Sequence, residues 1–581
     1  MSSVAWAEQP LSVAYPYDGY ETSAAQIFFI GTAPPDGEVT VNGQSIDRSD
    51  AGHFAPSFPL QLGENSFTFR YQEQELVIRV NRIATEPVAP VGVAFGEGSL
   101  TPAANVARLP GELICFGALA PVNAEVSVAL GDQIIALSPQ LDAVTLPANA
   151  AVLTSQNQPI APSTPLPIAT PYTGCTTAAQ PRHLGLPEFR LTLNGTTVQQ
   201  FGTGHIQFLS PTALQVVEVT TESGTARTGP STDHSRLTPL PKGTRATVTG
   251  YEGEWLRLDY GGWIRASETQ VLPTTTPPRS LIRSIRASQT DGWTEIAFPL
   301  QTAVPVSVQQ GDRTFTLTLY NATAQTDIIR LDDDPLIERL DWQQIAPEQI
   351  QYTFNLKTTQ QWGYKLRYEG TTLILSLRHA PVVATQSSRN RRQALAGISI
   401  LLDPGHGGPE DMGGIGSTGY TEKDVTLVIS KLLRDRLIER GATVYMTREG
   451  DIDLYPQDRV AMIEQLEPTM ALSLHYNALP DEGDLENTVG VGAFWYNAQS
   501  HNLAVFLHQS LVNQLDRPSY GVFWNNLALT RPTVAPAVLM ELGFMGNPEE
   551  FEWITNPNEQ ARLADALAEG ITQWVLQRAV D

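Results

Sequence analysis

The spacing of apolar residues changes once along this chain, near Ile398, and that change limits the fold more than any other feature. Ile398 to Leu402 is an unbroken apolar run of the kind a buried parallel strand needs. Val425, Val428, Ile429, Leu432, Leu433 and Leu437 follow at helical spacing, and Gly441 is placed to stop that helix. Thr421 and Asp424 bracket its start like a capping box, with Asp in place of the usual Glu or Gln. Further apolar runs at 443–446, 470–474, 491–496 and 537–542 alternate with or precede amphipathic stretches near 457–466, 499–515 and 559–578. Strand alternating with helix predicts an α/β domain over 398–581, a mostly parallel sheet covered by helices.

The first 380 residues obey a different rule. They are rich in Pro, Gly and Thr and carry short alternating runs, which predicts several small all-β domains. Residues 25–30, 38–41 and 66–71 are strand-like. They are separated by Pro34-Pro35-Asp36-Gly37, Asn42-Gly43 and Gly63-Glu64-Asn65, so a β-sandwich is expected over 10–83. A second β domain spans 91–212, interrupted at 153–173 by a segment dense in Pro, Thr, Ser and Ala that offers little to bury. Short strands at 214–219, 245–251, 255–260 and 263–264 make a compact unit of 214–273, and alternation returns over 280–379. A polar, basic connector with Arg389, Arg391 and Arg392 fills 380–397.

Charge narrows the function. The chain has 61 acidic against 37 basic side chains, a net −24, of which −15 falls on 398–581. Such a surface repels phosphate, so no nucleic-acid partner is expected. No apolar run reaches the 18 or so residues a membrane helix needs, so no transmembrane segment is expected. Cys115 and Cys175 are either two separate thiols or a pair closing a loop of about 60 residues, and their spacing does not decide. Residues 1–9 contain Ala5-Trp-Ala7, a small-x-small pattern of the kind signal peptidases cut. They are read as the tail of an export signal whose front lies upstream, which places the protein in the periplasm or outside the cell.

Four groups fall at strand or helix ends of the α/β part. His406 follows the first strand, Glu422 opens the helix after a glycine-rich loop, His475 closes a strand, and Glu541 lies near the end of another. Ligands of an open α/β sheet bind in the crevice outside the carboxyl ends of its strands. Two imidazoles and a carboxylate make the ligand set of a catalytic zinc site, and a further unligated carboxylate beside it serves as a proton carrier. The remaining histidines, His53, His183, His205, His234, His379, His501 and His508, have no such company and are read as structural.

The motifs Asp403-Pro-Gly-His-Gly-Gly408, Gly419-Tyr-Thr-Glu-Lys-Asp424, Thr447-Arg448, Leu454 to Arg459, Ser473-Leu-His-Tyr-Asn-Ala478 and Pro536-Ala-Val-Leu-Met-Glu-Leu-Gly-Phe-Met-Gly-Asn547 occur in that order. Over 398–578 they resemble the zinc-dependent N-acetylmuramoyl-L-alanine amidases of the amidase-3 type. The resemblance implies Zn2+ as cofactor, His406, Glu422 and His475 as its ligands, and Glu541 as the catalytic residue. It implies peptidoglycan as substrate, with hydrolysis of the amide between the lactyl group of N-acetylmuramic acid and L-alanine, for wall remodelling or daughter-cell separation. Ile463-Glu464 and Thr469 depart from the family pattern, off the ligand set. Some members carry a long helix that covers the zinc. The stretch from Trp495 to Glu541 reads as one ordinary helix and a loop, so no such plug is expected.

The front units carry weaker likenesses. Residues 10–83 resemble immunoglobulin-like modules. The segment 214–273, with Gly253-Glu-Trp255 and Gly262-Trp263-Ile264, resembles bacterial SH3-like barrels. By position, 280–379 resembles the AMIN-type domain of envelope amidases. They imply tethering to the wall, with envelope or division proteins as candidate partners. A zinc peptidase cutting within the stem peptide, and a wall-binding protein without catalysis, stand as alternatives.

Overall fold

A computed structural model describes residues 10–84, 90–140, 144, 146–154, 168–383 and 393–579. The export-signal pattern, most of the Pro-rich segment and the arginines of the basic connector lie outside them. The expected fold class holds: small β-sheets fill 12–378, and an α/β domain follows.

That domain consists of β1 (Ser399–Pro404), α1 (Glu422–Glu439), β2 (Thr443–Met446), α2 (Pro456–Leu466), β3 (Met470–Asn477), β4 (Val491–Trp495), α3 (Ala498–Leu515), β5 (Ser519–Trp524), β6 (Ala537–Phe544), α4 (Pro548–Thr555) and α5 (Pro557–Arg578). The sheet order is β2-β1-β3-β6-β4-β5. All neighbours are parallel except β4, which runs antiparallel to β6. Its core holds Ile400 and Leu402 of β1, Val425, Ile429, Leu433 and Leu437 of α1, and Leu567, Ile571 and Trp574 of α5. Fully burying each large apolar side chain contributes roughly 1.5–3 kcal/mol, which is what holds helix to sheet.

The structure corrects two local expectations and adds one helix. Between Trp495 and Glu541 the chain makes α3 and then a further strand, β5, followed by a short turn at Ala528–Thr530. β5 is an edge strand whose residues are all exposed or half-buried, so it lacks the alternation that marks a strand. α4 is an added element beyond the expected helices; Asn547 caps it by accepting from Glu549 N and Glu550 N, with Pro548 in the first turn. The capping box at α1 does not form. Thr421 Oγ1 donates to Asp424 Oδ2 at 2.5 Å and makes no side-chain cap bond to the backbone.

The front β-sheets carry their own cores. Phe29, Phe54, Phe67 and Phe69 pack within 10–84, and Phe315, Tyr352 and Phe354 within 280–378. One sheet runs across residues 212–214: Val106–Arg108 pairs with Arg245–Glu252, joining strands from both sides. Cys115 and Cys175 are register partners on paired strands and form a disulfide. Among the described residues no helix is long and apolar enough to cross a membrane.

The front units are docked on the α/β domain. Thr22 Oγ1 donates to Asp481 Oδ2 at 2.6 Å, and the hydroxyl of Tyr15 also donates to Asp481. Gln26 Nε2 donates to Glu482 O at 2.7 Å, and Phe28, Ile30 and Ala55 share one buried cluster with Leu485 and Phe544. From the other side, Trp362 packs on Trp574 with ring centroids 5.2 Å apart. Lys365 pairs with Glu467 at 2.8 Å, and Arg378 donates to Glu467 O and Val534 O.

Candidate active site

The loop after β1 turns sharply enough to aim His406 back across the sheet's rim, with His406 itself at φ +59°. Two glycines permit this. A Cβ at Gly405 would stand 2.4 Å from His475 Cε1. One at Gly413, itself at φ +68°, would stand 2.6 Å from both Glu422 Oε2 and His406 Cδ2.

The loop is held from below by a buried charge node. Asp403 is 1% exposed and pairs with Arg459 at 2.7 Å. Thr447 Oγ1 and Ser473 Oγ also donate to Asp403, at 2.5 and 2.6 Å. Burial alone would raise the Asp403 pKa, but the Arg459 charge and the two hydroxyls outweigh it and hold it below the usual carboxylate range. Arg459 goes on to donate to Pro404 O and His406 O, both at 2.7 Å. Arg448 donates to Pro404 O, Gly405 O and Lys423 O. The sequence motifs contain all these residues without disclosing their work, which is to fix the carbonyls on either side of His406. Thr469, a departure from the family pattern, exchanges hydrogen bonds with Ser399, so the packing there is intact.

His406, Glu422 and His475 come together. His406 Nε2, His475 Nδ1 and Glu422 Oε1 form a triangle with every side 3.1 Å. Bonds of about 2.0–2.1 Å to a tetrahedral zinc place ligand atoms roughly 3.3 Å apart, so this donor set fits the ion. Glu422 is 2% exposed; its Oε2 accepts from Gly414 N at 2.7 Å and its Oε1 from Tyr476 N at 2.9 Å. Burial would raise its pKa, yet hydrogen bonds from the two imidazoles depress it far below the usual carboxylate range. Behind His406, Asp411 Oδ1 lies 2.6 Å from Nδ1, the carboxylate–imidazole arrangement that leaves Nε2 free for a metal.

Glu541 is the register partner of His475 on the next strand. Its Oε2 is shielded from solvent and has no hydrogen-bond partner among the described residues. Burial is the main cause that pushes its pKa up to about 7. His475 and His406 oppose the rise and Glu422 adds to it.

The other histidines lie elsewhere. His53 bonds Thr32 at 2.9 Å, His508 bonds Ser519 at 2.9 Å, and His501 packs on Trp495. His379 Nε2 is 2.8 Å from Thr294 Oγ1, and His234 Nδ1 is 2.9 Å from Ser231 Oγ.

Comparison with known proteins matches this part of the chain. Residues 400–573 match the family model described as N-acetylmuramoyl-L-alanine amidase. The germination-specific N-acetylmuramoyl-L-alanine amidase of Bacillus subtilis is 32% identical over 206 residues, covering 32% of this chain and 82% of that protein. The probable cell wall amidase LytH of Staphylococcus aureus is 31% identical over 195 residues, covering 33% of this chain and 64% of that protein. Among solved structures, the amidase AmiC2 of Nostoc punctiforme is 28% identical and covers 31% of this chain and 98% of that chain, with a TM-score of 0.29. The family is zinc-dependent, and the His406, Glu422 and His475 cluster suits that metal. By its α/β domain, then, this chain belongs to the N-acetylmuramoyl-L-alanine amidases, zinc-dependent hydrolases of peptidoglycan.

Proposed function

We propose that the enzyme cleaves the bond between the lactyl group of N-acetylmuramic acid and L-alanine, with His406, Glu422 and His475 holding the zinc and Glu541 moving the proton. The single observation that carries the residue assignment is the 3.1 Å triangle with Glu541 on the adjoining strand. His406, Glu422 and His475 would hold the zinc, which would supply Lewis-acid polarisation of the amide carbonyl and a water whose pKa is lowered from about 15.7 towards 7. Glu541 takes the proton from the attacking water and returns it to the L-alanine amine as the C–N bond breaks. Glu422 serves as a ligand, and Asp411 is the acceptor that fixes the His406 ring.

The front units are read as an immunoglobulin-like sandwich (10–83), a β domain (91–212), an SH3-like barrel (214–273) and an AMIN-like domain (280–379). They hold the enzyme at the wall of an exported protein's compartment, where envelope or division proteins are candidate partners. The Cys115–Cys175 disulfide supports an oxidising location. Remodelling or daughter-cell separation is the role this arrangement suits. Mass spectrometry of digested peptidoglycan tests the reaction. Free stem peptides with L-alanine at their N-termini are expected; cleaved cross-bridges would indicate a peptidase instead. One zinc per chain, lost in His406→Ala and His475→Ala, tests the ligands.

A further inference from the structure

At the end of the catalytic sheet opposite the zinc ligands, three units of the chain meet. β4 runs antiparallel to β6, so Trp495 and Tyr496 stand at the far end from Glu541. There the strand Leu240–Pro241 lies against Tyr364–Glu369, and Tyr364 N donates to Thr533 O at 2.7 Å. Asn497 Nδ2 donates to Arg531 O and Pro532 O.

Three guanidinium groups gather at this junction. Arg227 and Arg236 are bridged across adjacent backbone, and with Arg531 they act electrostatically on the phenol of Tyr496. Arg531 in turn feels the charges of Arg236 and Arg227. Among the described residues none of the three forms an ion pair. Arg227 is 8% exposed; its Nη1 donates to Thr232 O and His234 O, and its Nε has no partner. Arg236 and Arg531 reach neutral oxygens at 3.5 Å, Thr225 Oγ1 and Asn526 Oδ1. The carboxylates in electrostatic reach are Asp233 and Glu268, and Glu268 Oε2 is engaged by Thr225 N at 2.6 Å. Arg265 pairs with Glu254 and adds further repulsion on Arg227.

Burial first, and then the Arg236 charge, pull Arg531 down to about 10. In a chain of net −24 this cluster is conspicuous. Guanidinium forks match oxyanions in shape and charge. Beside them Trp524, 58% exposed, stacks on Tyr496 with centroids 5.2 Å apart and gives a flat apolar floor.

We propose that Arg227, Arg236 and Arg531 form a second binding site, remote from the zinc, that takes a carboxylate of a peptidoglycan stem peptide on the Tyr496–Trp524 floor. The choice of a peptide carboxylate rests on the amidase reading; the anion site itself does not. A second hold on the polymer raises the local concentration of scissile bonds at the catalytic end.

The test uses the full chain treated with a chelator, so that the zinc site contributes nothing, and a free stem tetrapeptide, which lacks the scissile bond. Calorimetric titration is expected to show binding that weakens at least tenfold in Arg236→Gln/Arg531→Gln and is lost when the peptide carboxyls are amidated. Equal binding by the double variant, undiminished binding of the amidated peptide, or binding of inorganic phosphate without the peptide would each overturn the proposal. Thermal unfolding separates a merely structural role. Relieving repulsion should leave the ligand-free double variant melting at or above the wild-type temperature. A fall of several degrees would mark the arginines as supports and overturn the proposal.

Discussion

Arg459→Met tests whether the buried node beneath His406 holds the site together. The substitution keeps an apolar stem and removes the guanidinium, leaving Asp403 at 1% exposure with only Thr447 and Ser473 as partners. Breaking a buried pair from one side costs about 3–5 kcal/mol. The donations to Pro404 O, His406 O and Leu454 O go too, which favours the upper end, about 5 kcal/mol. A domain's whole net stability is only about 5–15 kcal/mol. The pH dependence has a definite sign. In the wild type Asp403 sits below its unfolded value of about 3.9, so its contribution is present above pH 4 and lost as pH falls through the folded pKa. Without Arg459, burial dominates and the folded pKa rises above 3.9, so a penalty grows as pH climbs. The deficit of the variant against wild type is therefore largest at pH 7 and shrinks towards pH 4. Hydrogen exchange read on peptides covering β1 and β3 in the full chain reports this locally. Asp403→Leu/Arg459→Met should recover most of the loss. Wild-type protection at pH 7, or a deficit that does not change with pH, would refute the reasoning.

Glu541→Gln should keep its zinc yet lose roughly 10²–10⁴ in rate; retained turnover would remove Glu541 from the mechanism. Because the working form of Glu541 is ionised and a nearby metal charge can only lower a pKa of about 7, the acid limb of kcat/KM should fall at or below pH 7, and a limb well above pH 7 would contradict it. Cys115→Ser/Cys175→Ser opens a loop closed across 60 residues and should cost about 4 kcal/mol on the chain-entropy estimate, seen as a lower melting temperature of the β units with zinc content unchanged. A 398–581 fragment should cut soluble muropeptides without any partner while binding hydrophobic dye through uncovered Leu485 and Phe544. A fragment silent until a partner is added would show that something in the domain covers the zinc.

Much of the α/β domain was legible because its burial is periodic. Val425, Ile429, Leu433 and Leu437 announce the inner face of α1, and His406, Glu422 and His475 sit near strand and helix ends. β5 was not legible, because an edge strand with no buried residue has no period to read. α4 does carry a local mark, Asn547 as N-cap followed by Pro548 in the first turn. At Thr421 the local pattern misled: Asp424 has a shorter reach than Glu and is taken by the threonine hydroxyl. Apart from Asp403 and the Thr426 hydroxyl, the partners of Arg448 and Arg459 are carbonyls about 2 to 55 residues away. Carbonyls carry no residue identity, so no sequence pattern discloses them. The continuity of a sheet across 212–214 is hidden for the same reason, since backbone pairing between Ala107 and Tyr251 leaves no mark on either side chain.

What the β units do mechanically follows from where they rest. Tethers need only a flexible link, and the sequence suggests that role. Yet Phe28 and Ile30 are buried against Leu485 and Phe544, and fully burying four such side chains is worth about 6–12 kcal/mol before ordering costs. Phe544 lies three residues beyond Glu541 on the same strand, and Leu485 lies in the segment that follows the His475 strand. Asn547 Nδ2 ties that segment to the start of α4 through Leu485 O and Glu486 O. The contacts that seat the first β unit are therefore made by the same two strands' continuations that carry the chemistry. The first unit therefore rests beside the continuations of the His475 and Glu541 strands, whereas the contacts of Gln360 Nε2 with Gln499 O and of Trp362 with Trp574 fall on α3 and α5.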